Sequence, residues 1–123
     1  MDYKEFYRIS EKVTKTFPNE EIAYRTAISR AYYFVFHHVR ENKKKNKYRV
    51  HFTQGTGDHG KVKELLKKVD VNLSALFTQL HDRRKIADYD MEKNIGQQEW
   101  QNHLKEVEVL IEKLDDIGFI KRK

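Results

Sequence analysis

Arg30, Tyr33 and His37 fall on one stripe of the run AISRAYYFVFHH, residues 27 to 38, inside the most apolar stretch of a hydrophilic chain. At about 100° per residue Thr26 joins them, Arg25, Ser29, Tyr32 and Phe36 form a second stripe, and Tyr24, Ala27, Ile28, Ala31, Val35 and Val39 form a third. The third is the natural core face. A helix built for stability alone would use Leu, Ile and Ala, because each buried phenol, imidazole or guanidinium needs a partner to replace water. Polar stripes on both sides of an apolar one fit a helix that lines a cleft or a subunit boundary. The plainer reading is that the Tyr rings are amphipathic wall residues and His37 a satisfied surface histidine.

A second anomaly lies in RRKIADYD, from residue 83. On a helix drawn from Leu73, the positions Phe77, Leu80 and Ala87 bracket Arg84, so a guanidinium enters an apolar stripe. An uncompensated buried ion costs several kcal/mol, so Arg84 must be paired or face a cavity. Asp88, one turn on, is the obvious mate. An exposed pair of this type contributes only about 0.3 to 0.5 kcal/mol, and the basic residue first is the poorer order. Arg84 is therefore either the anchor of a structural ion pair with Asp88 or a charge presented to an anionic ligand.

The elements that must position these groups are helices, since apolar residues recur at three and four and the chain has one Pro and five Gly. The spacing predicts five. The first spans roughly residues 2 to 16, with Asp2 as its cap and Tyr3, Phe6, Ile9, Ser10, Val13 and Phe17 on one face. Pro18 and Asn19 signal a long second helix to about residue 43. Within the polar stretch that follows, YRVHF alternates, Tyr48, Val50 and Phe52 against Arg49 and His51, which predicts an extended segment. Asp58 can cap a third helix carrying Val62, Leu65, Leu66 and Val69. A fourth runs from about Asn72 to Asp88 with Leu73, Leu76, Phe77, Leu80 and Ala87, and a fifth from about residue 97 to 117 with Trp100, Leu104, Val107, Ile111 and Leu114. Short links favour an all-α, up-and-down bundle of four to five helices in a single domain over residues 1 to 123.

The chain has no Cys, which excludes disulfides, thiolate metal ligands and a Cys nucleophile, and makes a reducing cytoplasm the simplest address. No apolar run approaches the roughly 20 residues of a membrane span, and the first residues lack a signal-like apolar centre, so no membrane partner is expected. Lys and Arg outnumber Asp and Glu by 25 to 19. The excess is concentrated in RENKKKNKYR, residues 40 to 49, where Lys44, Lys45, Lys47, Tyr48 and Arg49 could meet phosphates and stack bases, or form a solvated loop.

RTAISRAYYFVFHH from residue 25 and RRKIADYD from residue 83 together resemble the two hallmark stretches of the HEPN superfamily, in its small stand-alone prokaryotic branch. DHGKVKELL resembles the His-containing start of that family's third helix, at His59. The resemblance covers residues 20 to about 90. It implies a helical bundle that pairs as a homodimer, and a metal-independent endoribonuclease acting as a toxin or defence effector beside a nucleotidyltransferase antitoxin.

The family's catalytic pattern is an Arg followed after a short spacer by a His on the later helices, and here Tyr89 stands where that His is expected. A Tyr with a pKa near 10 is a poor general base at pH 7. Arg30 and His37 satisfy the spacing on the second helix, but about 10.5 Å of helix rise separates them, too far for one compact acid/base pair. Metal-free RNA cleavage needs a base for the 2′-hydroxyl, an acid for the leaving oxygen and a cation over the phosphorane. Those roles are assigned to His37 or His59 as base and Arg84 on the phosphate, with Tyr89 orienting the ribose and Arg30 and Tyr33 in the binding cleft. No cofactor is expected, and no metal, since the His and acidic residues lack ligand spacing. Two other readings stand beside it. One is a non-catalytic module binding nucleotide, RNA or a partner segment, with Tyr89 open to modification; the other is a structural dimer whose polar groups satisfy one another.

Overall fold

The helical period is realised as α1 (Lys4–Thr16), α2 (Glu21–Asn42), α3 (Asp58–Val69), α4 (Val71–Tyr89) and α5 (Gln97–Asp116). The computed structural model describes residues 1–42 and 58–117, and among them there is no strand. Lys44, Lys45, Lys47, Tyr48, Arg49 and the alternating YRVHF stretch lie outside the described residues. No described helix is long and apolar enough to cross a membrane.

Local chemistry sets the boundaries. The Asp2 carboxylate accepts from the Lys4 amide at 2.9 Å, opening α1. Asn19 takes a left-handed φ of 65°, a conformation Asn tolerates better than most residues, and its amide donates to the Tyr24 hydroxyl as the chain turns into α2. A single residue, Asp70, separates α3 from α4; its carboxylate accepts from the Asn72 amide at 2.8 Å while its own amide still bonds to the Leu66 carbonyl. At α5 the Glu99 carboxylate reaches back to the Gly96 amide at 2.9 Å.

Cross-helix contacts give the directions. Arg25 meets Ile86 and Ala87, whereas Tyr32 meets Phe77, so α4 runs antiparallel to α2. Tyr3 meets His38, placing the start of α1 against the end of α2. Ser74 bonds to the Lys63 carbonyl between α4 and α3. α2 packs against all four other helices, and this central position decides its composition.

It also corrects the sequence reading. Arg25, Ser29, Tyr32 and Phe36 line no cleft: they are 5%, 2%, 0% and 4% exposed, because α4, the turn after it and the start of α3 cover the side of α2 that a two-layer bundle would leave open. Arg25 is satisfied without water. Its Nη1 donates to the Ile86 and Ala87 carbonyls at 3.2 and 3.0 Å, its Nη2 to Lys93, and its Nε to Glu21 at 2.7 Å. A buried guanidinium thus closes the carboxyl end of α4, where carbonyls lack helical partners and a cation suits the helix dipole. On α1 the covered face is rotated from the expected one. Tyr7 and Val13 pack on the core and Ser10 is buried, but Ile9 and Phe17 turn outward.

In α5 the buried positions are Trp100, His103, Val107, Leu110 and Leu114, with Leu104 and Ile111 only half-buried. His103 therefore occupies a core site. Neither ring nitrogen makes a well-formed hydrogen bond, and burial pushes its pKa down to about 3, with Arg83 acting in the same direction and a poorly aligned contact with the Ile28 backbone only partly against it. Burial likewise lowers His38 to about 4, opposed by Asp115 and helped by Lys4. Both rings are neutral in the fold at pH 7 and protonate near pH 6.5 once unfolded. The unfolded chain binds more protons below that pH, so stability falls as pH drops through 6.5 toward about 3, and the histidine contribution is complete above 6.5. Urea denaturation at pH 7 and pH 5 should show this loss. His103→Leu should remove the larger part of it, changing stability at pH 7 by under about 1.5 kcal/mol; an unaltered slope would place the acid sensitivity elsewhere.

Candidate functional site

Arg84 leaves α4 toward α2 with its side chain 14% exposed, and its Cζ lies 5.1 Å from the centroid of the Tyr33 ring and 5.6 Å from that of Tyr89. The predicted ion pair is present: Nε stands 2.8 Å from Asp88 Oδ2. The N–H is not directed at the carboxylate as a hydrogen bond, so the contact is chiefly charge on charge. The same Oδ2 accepts from Ser29 Oγ at 3.2 Å, and Ser29 Oγ accepts from Arg30 Nη2 at 3.1 Å. Arg30 closes the circuit, with its Cζ 5.1 Å from the Tyr33 centroid and 5.9 Å from that of Phe6. Two guanidiniums thus flank one half-buried phenol ring, and a single carboxylate offsets their charge. Each cation–π contact contributes about 0.5 to 1 kcal/mol where water has access, too little to require two cations here for stability alone.

Imidazoles border this centre. The buried Tyr32 hydroxyl pairs with His59 Nδ1, and burial holds that phenol far above the usual tyrosine range, so it stays protonated. His59 stacks on His81 with centroids 4.8 Å apart and planes 10° apart, and Tyr32 stacks on His81 at 5.3 Å. His59 also approaches Tyr33 at 6.1 Å and Phe36 at 4.7 Å. His81 is pushed down to about 4, first by burial, then by His59, Lys85 and Arg84, against Asp82. Parallel imidazoles in contact cannot both hold a proton cheaply, which adds to the burial that keeps His81 neutral at pH 7. His37 stacks on Phe6 at 5.1 Å, with Tyr33 between it and the guanidiniums. Burial and Arg40 lower its pKa, against Glu41, so it too is neutral at pH 7.

No family model, curated protein or solved structure matches the chain.

Tyr33 is the hub through which Arg30, His37, His59 and Arg84 are brought together. Tyr89 is 71% exposed and, among the described residues, meets the group through Arg84. His81 belongs to the cluster although the sequence marks no role for it, and Tyr32, on the stripe expected to line a cleft or subunit boundary, joins it as a buried partner of His59. The available signal for His81 was its position one turn before Arg84, which puts both on the α4 face opposite α2. Nothing local could have paired Tyr32 with His59, 27 residues apart. Among the described residues, no three His, Cys, Asp or Glu side chains converge as metal ligands.

Proposed function

We propose that the strip of Arg30, Tyr33, Arg84 and the neighbouring imidazoles binds single-stranded RNA and cleaves it without a metal. The observation that carries this reading is the pair of guanidiniums held over Tyr33 at 5.1 Å each, beside stacked His59 and His81. Arg84 and Arg30 contact the phosphate, and the exposed Tyr89 ring offers a face for a base or ribose. One neutral imidazole takes the 2′-hydroxyl proton, the 2′ oxygen attacks phosphorus, the bond from phosphorus to the 5′ oxygen breaks, and the imidazolium just formed, or water, gives the leaving 5′ oxygen its proton. Arg84 stabilises the charge that builds on the phosphorane. In keeping with the HEPN-like motifs, the chain acts as a homodimeric toxin-type or defence effector in the cytoplasm, restrained by a nucleotidyltransferase partner.

A second reading, a non-catalytic RNA- or nucleotide-binding module, is favoured by the Asp88 carboxylate against Arg84 and by the Tyr32 hydroxyl that engages His59 Nδ1. Purified protein incubated with mixed single-stranded RNA and a chelator separates them. Cleavage should release 5′-hydroxyl and 2′,3′-cyclic phosphate ends, with His59→Ala and His81→Ala each slowing it by about 10² or more. Saturable binding without new ends would assign the chain to the second reading; neither binding nor cleavage would refute both.

A further inference from the structure

A groove of about 280 Å³ between α1, α2 and α5 has an apolar floor of Tyr7, Phe34, Val107 and Ile111 and a rim of four carboxylates, Glu108, Glu112, Asp115 and Asp116. Its charge opposes that of the whole chain, whose formal net charge is +6. The last turn of α5 holds one basic residue, Lys113, and two of the four acids, Asp115 and Asp116, which the helix dipole disfavours there. Among the described residues Glu108, Glu112 and Asp116 make no ion pair that would offset the arrangement. The Tyr7 hydroxyl donates to Glu108 Oε1 at 3.0 Å and the Tyr7 ring packs on Phe34 with centroids 5.1 Å apart, which fixes one wall.

We propose that this groove docks a cationic amphipathic helix of a partner protein. The spacing suits that occupant. Glu108, Glu112 and Asp116 recur every fourth residue along about 12 Å of helix, the reach of cations at i, i+4 and i+8 on a facing helix. The floor between α1 and α5 can take aliphatic side chains from the same partner face, the helix-in-groove mode of recognition. A divalent ion fits poorly, because no group of acidic side chains among the described residues converges as metal ligands. RNA is repelled by the rim, so this surface and the proposed RNA strip serve different partners, and the inference does not rest on RNA cleavage.

Fluorescence anisotropy of the full chain with a labelled Leu/Lys amphipathic helical peptide tests the proposal. Saturable binding is expected that weakens with salt. It should fall at least about tenfold with Glu112→Lys plus Asp116→Lys, both exposed positions. A control with the same charge change at the exposed Glu20→Lys and Glu92→Lys should bind nearly as wild type. On wild-type protein, titration should also shift the NMR signals of Phe34 and the Ile111 methyl, a readout independent of variant folding. Equal losses in both double variants, or equal binding of a scrambled peptide of the same composition, would overturn the proposal. So would binding that needs removal of residues 118 to 123, which would give the groove to the chain's own tail, or binding replaced by self-association through the groove.

Discussion

Arg25→Ala should lower stability by about 2 to 4 kcal/mol, since each buried carbonyl left without a donor costs about 1 to 3 kcal/mol, whereas Glu21, with its side chain 44% exposed, is solvated once its cation is gone; Arg25 touches neither the strip nor the groove. Truncation leaves the Ala87 and Lys93 carbonyls without the guanidinium that satisfies them and opens a void at the junction of α2 with the end of α4. The Ile86 carbonyl keeps the Asp90 amide at 2.9 Å, so the loss is not total. Arg25→Lys should recover little, since an ammonium cannot reach several carbonyls and Glu21 in the fork geometry of Arg. Urea denaturation at pH 7 measures both variants. A loss below about 1 kcal/mol for Arg25→Ala would mean that water replaces the guanidinium and that the end of α4 does not depend on it.

Arg84→Ala should reduce RNA cleavage by about 10² to 10³, the loss typical when one preorganised group stabilising transition-state charge is removed. Its melting temperature should change little beside that of Arg25→Ala, because Asp88 is 25% exposed and can be solvated once its cation is gone. Arg84→Lys should retain part of the binding and less of the cleavage, since it keeps the charge but loses the planar group over Tyr33. Asp88→Asn makes the complementary test. Freed from the carboxylate, Arg84 and Arg30 should bind RNA more tightly and with a steeper salt dependence. If Asp88→Asn weakened RNA binding while leaving the fold intact, Asp88 would be part of the RNA contact and not a counter-charge.

The periodicity of residues 24 to 39 was enough to find the core face of α2, and the helix ends fall within a few residues of those expected. Periodicity shows a face and not how many neighbours the helix has. By period alone Arg25, Ser29, Tyr32 and Phe36 fit a cleft or a subunit boundary, whereas α2 is enclosed on that side too. The α5 stripe was displaced for a related reason: reading only aliphatic and aromatic residues selects Leu104 and Ile111, whereas His103 and Leu110 take the buried positions. Arg84 with Asp88 was legible because a charge in an apolar stripe must have a mate within one turn. The contacts of Arg84 and Arg30 with Tyr33, and the Tyr32, His59 and His81 stack, join α2, α3 and α4 through space, so no single segment carries their signature.

One economy follows from this packing. α2 uses one side to hold the fold, through Arg25 and its apolar stripe, and the adjacent side to present Arg30, Tyr33 and His37. Those three side chains are half-buried and lie outside the fully covered stripe, and the Arg25 and Arg84 variants should separate stability from RNA engagement. Melting and cleavage that failed together in Arg84→Ala would tie the strip to the fold itself.

The central claim is that one surface, centred on Tyr33, receives RNA. Titration of the wild-type chain with a short single-stranded RNA, followed by NMR of the histidine rings and the arginine Nε–H groups, tests it most directly. The account predicts saturable shifts at His37, His59, His81, Arg30 and Arg84, with the buried His103 and Arg25 unmoved. Shifts confined to other surfaces, or none at RNA concentrations that saturate binding, would contradict it.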